Sequence, residues 1–114
     1  MAGPITIRKA PGKWTVRSGG AILGESVNAL ELSEGDLAPV IYFPREDIAM
    51  AFLDTSDKRT HCADKGEASY FSIVNRSSVT ENAVWSYENP TKAVAQIRDH
   101  LAFVLSDTVK VEQI

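Results

Sequence analysis

Two short segments of the chain carry most of the side chains that could bind or transform a small molecule. The first, His61-Cys62-Ala63-Asp64-Lys65-Gly66, brings an imidazole, a thiol, a carboxylate and an amine together beside a glycine. Histidine titrates near neutral pH, and the lysine ammonium group can neutralise an anion. The glycine allows close approach of a ligand to the backbone. We therefore take His61 and Lys65 as candidate catalytic residues, His61 for proton exchange and Lys65 for holding an anionic group.

The second segment, Glu81-Asn82-Ala83-Val84-Trp85-Ser86-Tyr87, alternates polar groups with aromatic rings. Aromatic side chains that face one cavity form flat walls for a planar ligand, although the same rings also serve as core residues. We expect the ligand-binding residues to come from this segment, from the first segment and from two nearby aromatic positions. They are Tyr42, Cys62, Tyr70, Asn82, Trp85 and Tyr87.

Cys62 is the only cysteine in the sequence and has two interpretations. A buried cysteine usually packs as a small apolar residue. A nucleophilic cysteine needs a base at hydrogen-bond distance, and neighbours on an extended segment point to opposite faces. A catalytic pair of His61 and Cys62 would therefore require a bent backbone.

The remaining composition excludes several classes of site. One cysteine and two histidines are too few for a zinc site, so we predict no metal, and no cofactor is assigned. The sequence contains no P-loop, no Gly-x-Gly-x-x-Gly motif and no Asp-x-Asp pair that would hold magnesium. The partner that remains is a small molecule of unknown identity, with a homodimer as a further expectation.

The 114 residues are enough for one domain, with a core at about residues 13–111 and residues 1–12 extended. The formal net charge of -3 argues against a nucleic-acid partner, which would usually meet a basic face. No apolar run is long enough to span a membrane, and no signal peptide is visible at the start. We expect a cytoplasmic protein with no membrane partner.

Strand patterns dominate the order of elements. Residues 14–17 and 21–23 alternate around Ser18-Gly19-Gly20 and predict a hairpin, and residues 68–74 and 79–85 predict a second one. Residues 28–32 and 40–43 predict further strands, and residues 103–105 and 109–111 short closing strands. The spacing of apolar residues predicts helices at 45–53 and after Asn89-Pro90-Thr91, and polarity predicts a loop at 54–58. Together these elements predict a mainly β (α+β) domain with antiparallel strands and two short helices.

Three stretches of the chain resemble a known family of bacterial proteins. They are Tyr42-Phe43-Pro44-Arg45-Glu46-Asp47-Ile48-Ala49-Met50, Thr60-His61-Cys62-Ala63-Asp64-Lys65-Gly66-Glu67-Ala68-Ser69-Tyr70-Phe71 and Glu81-Asn82-Ala83-Val84-Trp85-Ser86-Tyr87-Glu88-Asn89-Pro90. It is the family called domain of unknown function 427, also labelled nucleotidyltransferase-like family nine. The matching stretches occur in the family's order and spacing, and the resemblance runs from about Lys13 to Val111. It implies a compact, tent-like or barrel-like β domain with a cleft between sheets, and it supplies no mechanism.

The chain departs from the family pattern at a few positions. Ala63-Asp64 stands where relatives often have Pro-Tyr, and Phe71 where many have Trp. These changes affect the rigidity of the loop and the wall of any pocket.

Two hypotheses for function follow from these patterns. In the first, the segments around His61 and Trp85 line one pocket for a small molecule, with or without catalysis. In the second, the protein is a non-enzymatic interaction module or a homo-oligomeric structural protein, and the same residues form its core or its interface. The two differ in geometry, because only the first requires the side chains to meet at one solvent-reachable concavity.

Overall fold

The computed structural model describes residues 3–114, which form ten strands and three short 3₁₀ turns. The strands are β1 (Ile5–Lys9), β2 (Trp14–Ser18), β3 (Ala21–Ser26), β4 (Leu30–Glu34), β5 (Val40–Tyr42), β6 (Leu53–Cys62), β7 (Gly66–Val74), β8 (Val79–Ser86), β9 (Ala102–Phe103) and β10 (Val109–Gln113). The 3₁₀ turns are Arg45–Asp47, Met50–Phe52 and Lys92–Ile97. The mainly antiparallel β class expected from the sequence is confirmed.

The strands form three open antiparallel sheets and not a closed barrel. The N-terminal sheet has the order β1-β4-β5, the hairpin sheet has β10-β2-β3, and the central sheet has β6-β7-β8-β9. Both predicted hairpins are present, as β2–β3 and β7–β8. Strand β1 precedes the predicted core, yet it pairs with the whole of β4, from Ile5 opposite Glu34 to Lys9 opposite Leu30.

The central sheet contributes to two hydrophobic cores, one on each face. Because side chains alternate along a strand, Phe71 and Ile73 of β7 enter one core, and Ala68 and Tyr70 contact the other. The first core lies against the hairpin sheet and includes Val16, Leu23, Phe43, Val84, Leu101, Phe103 and Val109. The second lies against the N-terminal sheet and includes Leu32, Tyr42, Tyr87, Val94, Ile97 and Ala102. The central sheet is therefore covered on both faces.

The helix predicted at residues 45–53 is replaced by two 3₁₀ turns because strand pairing takes over between them. Ile48 is extended and forms an antiparallel bridge with Gly24, and the Ala49 N–H donates to the Leu23 carbonyl at 2.7 Å. A Cβ atom on Gly24 would collide with the Asp47 carbonyl oxygen, so this close approach needs glycine. Pairing with β3 therefore overrides the helical spacing of the apolar residues.

The second predicted helix is also a 3₁₀ segment, Lys92–Ile97, with non-helical backbone angles at Val94. Its apolar positions are still buried, since Val94 and Ile97 are both fully enclosed in the second core. Thr91, which was expected to cap a helix, makes no side-chain cap. Its hydroxyl donates instead to the Asp64 carbonyl at 2.8 Å, which ties this segment to the β6–β7 turn.

The prediction of a loop at residues 54–58 is wrong, because these residues belong to β6. This strand lies at the edge of the central sheet, and most of its side chains are exposed. Because the side chains of an edge strand can be exposed to solvent, such a strand can be polar at most positions, and its sequence then resembles that of a loop.

Candidate functional site

A cavity of about 650 Å³ opens between the central sheet and the N-terminal sheet, and we call it the aromatic cavity. Six of the eight site residues predicted from the sequence line it: Tyr42, Lys65, Tyr70, Asn82, Trp85 and Tyr87. The other lining residues were not among the predicted site residues; they are Leu32, Glu34, Val40, Lys58, Glu81 and Val104. Segments more than forty residues apart in the chain thus meet at one concavity.

The aromatic rings of the cavity are positioned by strand pairing. Tyr70 and Trp85 lie directly opposite each other on β7 and β8, so both side chains are on the same face of the central sheet. Tyr42 approaches from β5, and its ring meets that of Trp85 edge to face with centroids 6.3 Å apart. The Trp85 Nε1–H donates to the Tyr42 hydroxyl at 3.3 Å. This contact joins the two sheets across the cavity.

The charged centre of the cavity is an ion pair between Lys65 and Glu34. The Lys65 Nζ lies 2.8 Å from the Glu34 Oε1, and each side chain is only 12% exposed. In every other ion pair of residues 3–114 at least one partner is considerably more exposed. Glu34 was not among the residues predicted for the site. It is the last residue of β4, and its side chain lines the cavity.

The environment of the cavity raises the pKa values of one lysine and two tyrosines. Burial acts to lower the pKa of Lys65, but the hydrogen bond to Glu34 and the nearby negative charges outweigh it, and the pKa of Lys65 is raised. Burial raises the pKa of Tyr42 and also that of Tyr87, where Lys65 opposes the shift. Near neutral pH, Lys65 is therefore a fixed cation and not a base, and the two tyrosines are neutral phenols.

The turn that carries Lys65 is fixed by backbone hydrogen bonds. The Lys65 N–H donates to the Cys62 carbonyl at 3.2 Å, and the Lys65 carbonyl accepts from the Thr91 N–H at 3.1 Å. Gly66 follows with φ of 107°, a conformation that side-chain-bearing residues rarely adopt. The Lys65-Gly66 sequence thus has a structural reason, because the glycine turns the chain so that Lys65 meets Glu34.

We expect Gly66→Ala to destabilise the protein by about 2 kcal/mol, since the backbone is strained and a Cβ atom would lie 3.3 Å from the Asn89 carbonyl oxygen. Two other glycines provide matched controls for urea unfolding. Gly19 has positive φ, but a Cβ atom there would meet open space. Gly20 has open space as well and does not have positive φ. Gly19→Ala should cost less than Gly66→Ala, and Gly20→Ala should change little. Equal effects at Gly19 and Gly66 would contradict the tight packing of this turn.

Two β-bulges bring polar groups to the rim of the aromatic cavity. Residues 56–58 of β6 lie opposite Tyr70 alone, and residues 81–83 of β8 lie opposite Ser72 alone. The bulges meet over β7, where the Ser56 hydroxyl donates to the Asn82 Oδ1. Asn82 has φ of 53°, which asparagine tolerates better than most residues, and its N–H donates to the Ser72 hydroxyl at 3.1 Å.

The bulge in β6 also places Lys58 at the rim. Its Nζ lies 4.7 Å from the centroid of the Tyr70 ring, within the range of a cation–π contact. Bulges commonly re-aim side chains in this way next to functional sites. The rim therefore combines an ammonium group from β6 with an amide from β8.

The structure separates His61 from the residues it was expected to join. Thr60 and Cys62 are on the cavity-facing side of β6, as the 3.1 Å contact between the Thr60 and Tyr70 hydroxyls indicates. His61 lies between them on an extended strand, so its side chain points to the opposite face, where it is exposed. His61 is not among the residues that line the cavity, and its part in proton exchange stays a prediction.

Cys62 lies close to the cavity without lining it. Its thiol is partly buried and contributes to the raised pKa of Lys65. Because His61 points away, no base from that residue accompanies the thiol. On this extended strand the His61 and Cys62 side chains point to opposite faces, and the thiol lies near enough to Lys65 to affect its pKa.

Among residues 3–114, no group of three or more histidine, cysteine, aspartate or glutamate side chains is placed to hold a metal ion. None of the helical segments in this part of the chain is long and apolar enough to cross a membrane.

The fold and the cavity together define an open antiparallel β protein with an aromatic cleft between two sheets. The chain belongs to the family described as a domain of unknown function (DUF427) and labelled NTP_transf_9, whose sequence profile matches residues 6–114. A comparison with curated proteins finds no match to the chain.

Proposed function

We propose that this protein binds a planar small molecule in the aromatic cavity. The observation that carries the proposal is the meeting of Tyr42, Tyr70, Trp85 and Tyr87 around one concavity that also contains a buried ion pair. The volume of about 650 Å³ lies within the range typical of small-molecule sites. Four aromatic side chains from three strands and one connecting segment supply flat apolar walls for a ring system.

The charges around the cavity indicate a ligand without strong net charge. Two lysines, Lys58 and Lys65, are balanced by Glu34 and Glu81. Because Lys65 is already neutralised by Glu34, the groups left to recognise a polar substituent are Lys58, the Asn82 amide and the tyrosine hydroxyls. We infer a ring system with one or two hydrogen-bonding substituents.

Binding is favoured over catalysis by the state of the candidate residues. Lys65 is held as a cation and His61 lies on the other face, so neither supplies a base to the cavity. The family label mentions nucleotidyl transfer, which normally uses paired carboxylates that hold magnesium. Glu34 is paired with Lys65, which leaves Glu81 as the single uncommitted carboxylate among the lining residues, so this donor set does not fit such a site.

Thermal unfolding with a panel of planar compounds tests the proposal. The panel contains nucleosides, flavins, pterins, indoles and hydroxybenzoates. A bound compound at 100 times its Kd should stabilise the fold by about 2.7 kcal/mol. We expect Tyr70→Ala to weaken binding at least tenfold, since ring stacking contributes on the order of 1–3 kcal/mol. Asn82→Gly removes the amide while keeping the backbone conformation that the bulge requires.

The control variant is Phe52→Ala, which removes a partly exposed ring outside the cavity. It should leave ligand stabilisation unchanged. If no compound stabilises the wild type, or if Phe52→Ala weakens binding as much as Tyr70→Ala, the aromatic cavity is not the binding site.

The second hypothesis, an interaction module or homo-oligomer, gives a different result in the same experiment. Sedimentation of the wild type would then reveal a dimer that Tyr70→Ala dissociates. A cytoplasmic location belongs to our proposal too, and the single free thiol of Cys62 is compatible with a reducing compartment.

A further inference from the structure

A second cavity of about 580 Å³ lies beside the aromatic cavity, and we call it the apolar groove. Its walls are almost entirely apolar and include Trp14, Pro39, Ile41, Phe103, Leu105 and Val111. Among the described residues, Glu31 is the one charged side chain that lines it, and Glu31 is paired with Arg8 at 2.6 Å. The Trp14 Nε1–H is also occupied, because it donates to the Pro11 carbonyl at 2.9 Å. The groove therefore offers a ligand neither an unpaired charged side chain from Glu31 nor a free indole N–H from Trp14.

The two cavities adjoin, since Val40, Trp85 and Val104 line both. The reason lies in how the N-terminal and central sheets meet. Phe43 and Leu101 exchange two backbone hydrogen bonds of 2.8 Å, which bridge the two sheets at one point. Beyond this bridge, β5 pairs with β4 and β9 pairs with β8, so the chain around Val40 is not joined to the chain around Val104. The two cavities therefore meet beside Trp85, at the residues that line both.

Two consecutive apolar residues are exposed where the cavities meet. Val104 is 47% exposed and Leu105 is 62% exposed, although both follow directly on the buried residues of β9. Contiguous exposed apolar surface can mark a ligand-binding groove. Here the two residues continue the wall of a cavity whose other end carries Lys58, Asn82 and the tyrosines.

We propose, on the basis of the function proposed above, that the ligand is amphipathic. Its planar polar head occupies the aromatic cavity, and an aliphatic tail passes Trp85 into the apolar groove. The polarity of the two cavities matches the two halves of such a molecule, and the shared residues place head and tail in one continuous site. A ligand with a head alone would leave Leu105 and Val104 exposed.

Dansylamide and its N-butyl and N-octyl derivatives test this proposal, because they share one planar fluorescent head and differ only in the tail. Kd is measured by fluorescence titration of the wild type. Each methylene buried in the groove should lower Kd about threefold to fourfold, corresponding to about 0.8 kcal/mol. We therefore expect the octyl compound to bind on the order of 100-fold more tightly than the butyl compound.

Three variants separate the head from the tail. Leu105→Glu places a charge in the groove and should weaken octyl binding at least tenfold, with little change for dansylamide. Ile22→Glu is the matched control, since Ile22 is 59% exposed on β3 and lines neither cavity. Tyr70→Ala should weaken all three compounds by a similar factor.

The outcomes distinguish the two proposals. Equal affinity for all three compounds, with loss in Tyr70→Ala, would overturn the tail site and leave the aromatic cavity as a binding site. A length dependence that Leu105→Glu and Ile22→Glu reduce equally would also overturn the tail site, as would a dimer dissociated by Leu105→Glu. Absence of binding by every compound would count against both proposals.

Discussion

Lys65→Met is expected to lower the free energy of unfolding by about 3 kcal/mol. The substitution keeps a side chain of similar length but leaves the Glu34 carboxylate largely buried without its cation. Removing one partner of a buried pair costs much more than the pair itself contributes, because the remaining charge has lost its hydration and its counter-charge. We also expect the β6–β7 turn, which carries Lys65, to lose its contact with the end of β4.

A double-mutant cycle in urea tests this expectation. Glu34→Leu should also destabilise the protein, while Lys65→Met combined with Glu34→Leu should recover most of the loss, since no buried charge remains. The matched control is Arg17→Met, which breaks the exposed pair with Glu112 and should cost less than about 1 kcal/mol. Additive losses in the double variant would show that Lys65 and Glu34 do not interact in the folded protein.

The second large effect is a loss of stability at alkaline pH. The pKa values of Tyr42, Lys65 and Tyr87 are all raised in the folded protein. Above pH of about 10, the unfolded chain releases these protons while the folded chain retains them. The unfolded state then binds fewer protons, so the free energy of unfolding falls as pH rises. The stability that these groups contribute is fully present below the unfolded pKa values and is lost as pH rises through the folded ones.

The steepness of this loss reports the number of groups involved. Three protons correspond to a slope of up to about 4 kcal/mol per pH unit, since each contributes about 1.4 kcal/mol. Urea unfolding of the wild type and of Tyr42→Phe between pH 7 and 11.5 measures it. Tyr42→Phe should reduce the slope by up to one proton. It should also cost about 1–2 kcal/mol at pH 7, because the Trp85 indole N–H loses its acceptor. An unchanged slope would argue against burial of the Tyr42 hydroxyl.

Local patterns in the sequence predicted both hairpins correctly. They gave a wrong prediction at residues 45–53, where pairing with a distant strand determines the backbone conformation. The β2–β3 and β7–β8 hairpins depend on alternation and on the turn between the strands, which are both local. The segment at residues 45–53 has helical spacing, yet Ile48 is drawn into a bridge with Gly24. No property of residues 45–53 alone contains that information, because the bridge depends on where β3 lies.

The candidate site could be predicted only in part, because some of its residues reach the cavity through pairing with distant strands. Aromatic and titratable residues clustered in two segments, and the sheets bring six of them to one cavity. Glu34 and Lys58 were missed because one reaches the cavity through the pairing of β4 and the other through a bulge. His61 is a predicted catalytic residue that the structure places away from the cavity. The alternation of side chains along an extended strand already separates it from Cys62, and the backbone bend that would reunite them does not occur.

The single bridge between Phe43 and Leu101 has a consequence for how the cleft varies among homologous proteins. Across the cleft, β5 and the central sheet share these two backbone hydrogen bonds, while the contacts of Tyr42 with Trp85 and of Lys65 with Glu34 are made by side chains. The distance between the two walls of the cleft therefore depends on the side chains at a few positions and not on a continuous ladder of backbone hydrogen bonds. On the function proposed above, we expect point substitutions at these positions to change which molecule fits while the strands keep their register, so that ligand preference diverges faster than the fold.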